Sequence, residues 1–211
     1  MEDKKMNYQV WDNLAHKYNR LWVQKYSLGP TRREVLKILL PLLEKNGELK
    51  ILDIGCGTGQ LVKEISKSYP KVNYLGIDVA ENMISIAKES NEGENINFLL
   101  CPIEHFQTDE KYDVVVCTHA FPYFPDKQEV LNKIALISKE GAQVILVNSS
   151  TNSVKDGIIN FFLKATTSKA KYLSIKKMHV LFQNAQLKVK ATGVIRERFY
   201  MPTIALFHLE R

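Results

Sequence analysis

Four residues in one short run carry the first hint of chemistry. In Ile51-Leu52-Asp53-Ile54-Gly55-Cys56-Gly57-Thr58-Gly59-Gln60-Leu61, an apolar stretch ends in three alternate glycines, and a carboxylate, Asp53, precedes them. Glycines so placed let the backbone close on a ligand, because a Cβ would block either the turn or the approach. The dinucleotide pattern G-x-G-x-x-G is met at Gly55 and Gly57 but fails at Gln60, and the frame opened at Gly57 fails at Val62. A second acid, Asp78, follows in Gly76-Ile77-Asp78-Val79. At the end of a strand it can accept both hydroxyls of a ribose, with Val79 and Met83 supplying apolar contact to the base. The alternative is that Asp78 caps the next helix beside Glu81 and Asn82.

These residues need a scaffold that brings strand ends together. The pattern predicts strand 1 at about 50–54, strand 2 at 73–77, strand 3 at 96–100, strand 4 at 112–117 and strand 5 at 143–147. Helical stretches at about 59–68, 80–89 and 126–138 alternate with them, and a short irregular helix is expected at 103–106. Such alternation implies a parallel sheet with right-handed crossovers and helices on both faces. Ahead of it, an amphipathic helix is expected from about Asn7 to Tyr26, stopped by Gly29-Pro30. A second starts near Thr31, is kinked or interrupted at Pro41, and ends at Asn46-Gly47. Past strand 5, helices are expected at about Val154–Ala165 and Ser174–Ala185, then two alternating strands joined at Met201-Pro202. The chain reads as one domain over 1–211, with a helical cap at 1–46 and a core at 47–211 that holds a helical insertion at about 153–170.

Composition narrows the setting. With 211 residues, 45% hydrophobic and 25% charged, the chain can build a full α/β core. No apolar run approaches the roughly 20 residues of a membrane span. The start, Met1-Glu2-Asp3-Lys4-Lys5, leads into a polar amphipathic stretch, so secretion is not expected. Three widely spaced cysteines fit a reducing, cytoplasmic setting. The net charge of +6 could serve nucleic acid or an acidic metabolite, yet the basic residues are spread along the chain, densest at Arg32-Arg33 and Lys169 to Lys177. Solvated helix faces account for them more simply.

The order and spacing of Asp53–Leu61, Gly76–Met83, Tyr112–Asp126 and Lys139–Val147 resemble those of the class I S-adenosylmethionine (SAM) methyltransferases. The small-molecule group that contains the ubiquinone and menaquinone biosynthesis enzymes is the nearest in character. The resemblance implies a Rossmann-like sheet of order 3-2-1-4-5-7-6 with strand 7 antiparallel. It implies that Asp53, Gly55, Cys56, Gly57 and Gly59 wrap the methionine part of SAM, and that Asp78, Val79 and Met83 hold the adenosine. Trp11-Asp12-Asn13-Leu14-Ala15-His16-Lys17-Tyr18-Asn19 resembles the family's N-terminal signature, which implies that Tyr18 and its helix close over SAM. For Trp11 and Trp22, core packing is the preferred reading. Pro102 stands where the family often has an acid near the adenine, leaving the backbone around Ile103 to reach the base. Lys139-Glu140-Gly141-Ala142 replaces the family's Lys-Pro-Gly-Gly turn.

The end of strand 4, Cys117-Thr118-His119-Ala120-Phe121-Pro122-Tyr123-Phe124-Pro125-Asp126, should face the methyl donor, with Thr118 and His119 at the cofactor. It lacks the Asn/Asp-Pro-Pro-aromatic motif of amino-group methylases and the Pro-Cys of cytosine methylation. It also has no acid of the kind that holds Mg²⁺ in catechol methyltransferases, so no metal is expected. A neutral His119 can act as general base, or it can simply line the pocket. Tyr123 can orient an acceptor. Cys56, Cys101 and Cys117 end strands around one crevice; a thiol site for a soft element is conceivable there, and small apolar packing is the simpler account. Three readings follow: methyl transfer to a small molecule, methyl transfer to RNA or protein, and non-catalytic binding of SAM or S-adenosylhomocysteine (SAH).

Overall fold

Apolar runs buried on both faces make the centre of the molecule. In the computed structural model, which describes residues 2–153, 155–157, 159, 170–196 and 202–211, they form seven strands. These are β1 (Lys50–Ile54), β2 (Asn73–Asp78), β3 (Ile96–Leu100), β4 (Tyr112–Thr118), β5 (Ser138–Ser149), β6 (Lys188–Ile195) and β7 (Ile204–Glu210). The sheet order is β3-β2-β1-β4-β5-β7-β6, with β1 to β5 parallel and β7 antiparallel to both β5 and β6. The expected fold class is therefore the observed one. Order reverses beside β1, where β4 pairs Val114 with Ile51 and β2 pairs Tyr74 with the same residue. That reversal opens a crevice at the carboxyl ends of the strands.

Alternate side chains of each strand feed two cores. Val115, Cys117, Val144 and Leu146 pack with α5 (Lys127–Ile137) and α6 (Ile175–Asn184). Val114, Val116, Ile145 and Val147 pack with α2 (Gly29–Lys45) and α3 (Gln60–Ile65). α4 (Glu81–Ser90) contributes Ile84 and Ala87 to this second core, and its Met83 meets Ala15 of α1 (Glu2–Tyr18). Burial on both faces explains why the strands read as continuous apolar runs.

Three expectations at the amino-terminal end need correction. α1 ends at Tyr18, and a π-helical segment, Gln24–Leu28, leads straight into α2. Gly29-Pro30 therefore opens a helix and does not stop one. Pro30 sits in the first turn of α2, where its missing N–H is no loss. Gly29 is needed because a Cβ there would lie 2.7 Å from the Gln24 carbonyl oxygen of the wide π turn. Pro41 does not interrupt α2, which continues to Lys45. Pro41 and Lys37 are both exposed, so the carbonyl of Lys37 that loses its partner can turn to water. The expected helix at 154–165, and with it most of the insertion, falls outside the described residues, as does the start of the turn at Met201-Pro202.

Candidate active site

The loop after β1 is held open by its own backbone. Gly55 and Cys56 donate their N–H groups to the Ile77 carbonyl at 2.8 and 3.1 Å, stitching the loop to β2. Gly55 has φ +74°, and a Cβ on it would lie 2.4 Å from the Cβ of Ala120. Only glycine meets both demands. Gly57, at φ +54°, turns its bare Cα towards Tyr18, whose Cε1 would lie 3.7 Å from an added Cβ. Asp78 completes the cradle. Its Oδ2 accepts from Gly57 N at 2.9 Å and its Oδ1 from Ala80 N at 3.0 Å. Burial raises its pKa, and the N–H groups of Ala80, Gly57 and Val79 pull it back. Asp78 thus joins the glycine loop to the entry of α4.

Two cavities meet at this loop. The larger encloses about 840 Å³, counting its open mouth. Asp78, Val79, Met83 and Ile103 line it, together with the rings of Trp11, Tyr18 and Tyr123. Trp11 stands edge-on to Tyr18 and to Tyr123, with ring centroids 6.4 and 5.4 Å apart. The smaller cavity, about 490 Å³, lies behind the loop and is lined by Asp53, Cys56, Thr58, Gln24 and Arg32. Tyr18, Gly55, Gly57, Thr118 and His119 line both.

The smaller cavity has opposite charges on its walls. Asp53 is buried, donates nothing, and accepts from the Tyr74 hydroxyl at 2.6 Å through Oδ2; its Oδ1 has no partner. Burial pushes its carboxyl up to about 7, against the pull of the Tyr74 hydroxyl. Arg32, on α2, donates from Nε to Glu64 at 2.8 Å and from Nη1 to Gln24 Oε1 at 3.0 Å. The π-helical segment places Gln24 for that bond. Two donors fix the plane of the guanidinium and leave Nη2 as its remaining edge.

His119 sits at the junction in an unusual conformation, φ 60°. A non-glycine residue there is strained and is often found at functional sites. Its N–H donates to the Val147 carbonyl at 2.7 Å, and its Nε2 shares a hydrogen bond of 2.8 Å with Thr31 Oγ1. Burial, and then the Arg32 charge, lower its pKa to about 4, so the ring is neutral near pH 7. The cap is tied down by Thr58 Oγ1 donating to Asn19 Oδ1 at 2.7 Å and Asn82 N donating to Asp12 Oδ1 at 2.9 Å.

Most of the residues singled out in the sequence converge here. Tyr18, Asp53, Gly55, Cys56, Gly57, Asp78, Val79, Met83, Ile103, Thr118, His119 and Tyr123 all line one or both cavities. Gly59 and Pro102 line neither. Gly59 is a packing glycine, with Asn91 Nδ2 2.6 Å from where its Cβ would be. Trp11, read as core, does pack against the cluster of Ala15, Ala80 and Met83 and also lines the larger cavity, whereas Trp22, read as core too, is 55% exposed. Arg32, Gln24 and Glu104 were missed. Glu104 lies two positions beyond the proline that replaces the expected acid, and Arg32 was passed over as part of a basic surface pair. Among the described residues no group of His, Cys, Asp and Glu is arranged to hold a metal.

A family model described as a methyltransferase domain matches residues 45–193. The chain belongs to that family. Its sheet order and glycine loop make it a class I methyltransferase domain. It is 29% identical over 168 residues to a malonyl-[acyl-carrier protein] O-methyltransferase of Bacillus cereus, a match that covers 79% of this chain and 55% of the relative. It is 28% identical over 177 residues to a ubiquinone biosynthesis O-methyltransferase of Hydrogenovibrio crunogenus, covering 78% of this chain and 71% of the relative. The chain thus spans little more than half the length of the malonyl-carrier relatives it matches. The fold is similar to that of magnesium protoporphyrin IX methyltransferase from Synechocystis PCC 6803 with bound SAH, with a TM-score of 0.77, 17% identity and 99% of each chain covered. No helix among the described residues is long and apolar enough to cross a membrane.

Proposed function

We propose that this domain binds SAM and transfers its methyl group to a small-molecule acceptor in the cytoplasm. The observation that carries the reading is the pair of cavities joined at one glycine loop. The larger fits an adenosine, with Asp78 at the ribose and Val79, Met83 and Ile103 around the base. The smaller fits an amino-acid head. The unpaired Asp53 Oδ1 suits its ammonium, and the Arg32 Nη2 edge suits its carboxylate. A zwitterion would answer both walls at once.

SAM brings a methyl already activated by the sulfonium charge, so the protein's work is to orient the acceptor and exclude water. Tyr123 and Trp11 form the acceptor wall, and Tyr18 covers the junction where the sulfur would lie. The O-methyltransferase relatives favour an oxygen acceptor.

The test compares two ligands that share the adenosine and thioether. Calorimetry should show SAH binding more tightly than methylthioadenosine, which lacks the amino-acid head. Arg32→Met should weaken SAH by about tenfold, one charge-assisted contact, and leave methylthioadenosine unchanged. Equal binding of both ligands by the unaltered protein would remove the amino-acid head from the smaller cavity.

A further inference from the structure

A sheet that does not close on itself has two edges, and each presents unpaired N–H and C=O groups to any strand that comes near. In this chain the edges are β3 and β6, and they are treated differently. β6 carries the exposed Lys188 and Lys190, with Lys190 Nζ 2.7 Å from Glu210, and its register with β7 breaks between Val189 and Ala191. Lysines and a register break keep a further strand away. β3 has neither. Ile96-Asn97-Phe98-Leu99-Leu100 contains no charge and no proline, and it pairs with β2 without a break along its whole length.

The register decides which groups are on offer. The Asn95 carbonyl accepts from Tyr74 N at 2.8 Å, and Cys101 N donates to the Asp78 carbonyl at 2.9 Å, so the odd-numbered residues face β2. Alternate residues of a strand turn their N–H and C=O groups to opposite sides, so those of Phe98 and Leu100 point outward. Among the described residues nothing bonds them there. The open stretch is bounded at both ends: Ile96 N–H is taken by the Gly93 carbonyl at 3.1 Å, and Pro102 has no N–H to give. Leu99 and Leu100 are 43 and 47% exposed, and as strand neighbours they point to opposite faces. A strand laid along β3 would satisfy the outward groups and cover both side chains.

The charge around this edge selects the occupant. From Glu89 to Glu110 the chain holds six acids, Glu89, Glu92, Glu94, Glu104, Asp109 and Glu110, and no lysine or arginine, in a protein of net charge +6. Glu92 and Glu94, in the loop that leads into β3, are exposed and enter no ion pair among the described residues. Two copies paired through β3 would add acid to acid. We propose that the β3 edge docks a basic extended segment of another protein. That segment joins the sheet as a further strand, with apolar residues beside Leu99 and Leu100 and lysine or arginine beside Glu92 and Glu94. Backbone bonds supply the affinity, and the side chains choose the partner. Neither leucine lines a cavity, so docking leaves both cavities open to their ligands.

The experiment uses the immobilised full chain to select from a displayed library of random peptides of about ten residues, first depleted on the variant Leu100→Pro. That proline removes an outward N–H and keeps the bonds to β2, because an edge strand tolerates proline on its free side. Enriched peptides should alternate apolar residues and carry lysine or arginine at one end. A synthetic copy of one should bind the unaltered chain and lose about tenfold in affinity to Leu100→Pro. The double variant Glu92→Lys, Glu94→Lys should weaken it by about tenfold as well. Thermal unfolding shows whether each variant keeps the fold. If Leu100→Pro does not, Leu99→Lys replaces it, since it guards the edge with a cation and leaves the backbone alone. No enrichment, equal binding to the edge variant, or enriched peptides that are acidic would overturn the proposal. A dimer in ultracentrifugation that the edge variant dissociates would give the edge to a second copy and overturn it too.

Discussion

The two walls of the larger cavity are made of different material. The wall formed by the ends of β1 and β2 is backbone, fixed by glycines and by Asp78. The second wall is side chain: Trp11 and Tyr18 from α1, and Tyr123 from the turn after β4. Backbone held by a parallel sheet has one arrangement. Aromatic rings on a cap have the arrangement that their neighbours allow. The first wall suits a ligand that never changes, and the second suits one that differs from relative to relative.

Breaking the backbone wall should have the largest effect. Gly55→Ala puts a methyl 2.4 Å from the Ala120 Cβ at a φ of +74°. Relief requires the turn after β4 to shift, and that turn carries His119 and its bond to Thr31. We expect destabilisation of about 2–4 kcal/mol and loss of measurable SAH binding. Chemical denaturation and calorimetry measure the two. Binding within threefold of the unaltered protein would show that the loop tolerates a Cβ and that its glycines are not the cradle.

The contrast also explains what could be read from the chain. Glycines and acids at strand ends act through backbone geometry that any sheet of this order repeats, so Gly55, Gly57 and Asp78 were legible from spacing alone. Gly59 shared the spacing yet serves packing against Asn91 and Phe98, a distinction that only tertiary contacts make. Cap residues follow from where helices break. Gly29-Pro30 signals a stop and a start equally well, and the π turn that decides between them gives no periodicity to read. With α1 assigned eight residues too far, the segment that positions Gln24 and Arg32 read as surface. Trp11 and Trp22 lay in one amphipathic pattern, and the end of α1 at Tyr18 separates them, one into the cavity and one to solvent.

A second prediction sharpens the contrast through pH. Asp53 lines the smaller cavity and His119 lines both, and burial shifts them in opposite directions. Asp53 rises from an ordinary 3.8 to about 7 in the folded chain, so it favours the fold while protonated and its contribution is lost as pH climbs through that window. His119 falls from 6.5 to about 4, so it favours the fold while neutral and its contribution is lost as pH drops through that window. The windows overlap and the slopes oppose, which flattens the combined contribution of the pair between about pH 4 and 6.5. Asp53→Asn should therefore make stability rise with pH across that range relative to the unaltered protein, and His119→Asn should make it fall, each by about 2 kcal/mol. Urea denaturation at stepped pH reads both. Parallel curves for all three proteins would mean that neither group is buried as described.

The smallest effect tests how firmly the side-chain wall is held. Asp12 Oδ1 accepts from Asn82 N at 2.9 Å at an exposed position, where water can replace it. Asp12→Ala should therefore cost less than about 1 kcal/mol of stability. That bond nevertheless joins α1 to the first turn of α4, which also carries the cavity-lining Met83. If the cap must part from α4 for ligand to leave, weakening the join should speed SAH release by about threefold with little change in association. Methylthioadenosine, which fills the same adenosine side, should gain by the same factor, because the cap covers the part that the two ligands share. Stopped-flow dissociation measures this. An unchanged release rate for both ligands would mean that α1 stays in place during exchange.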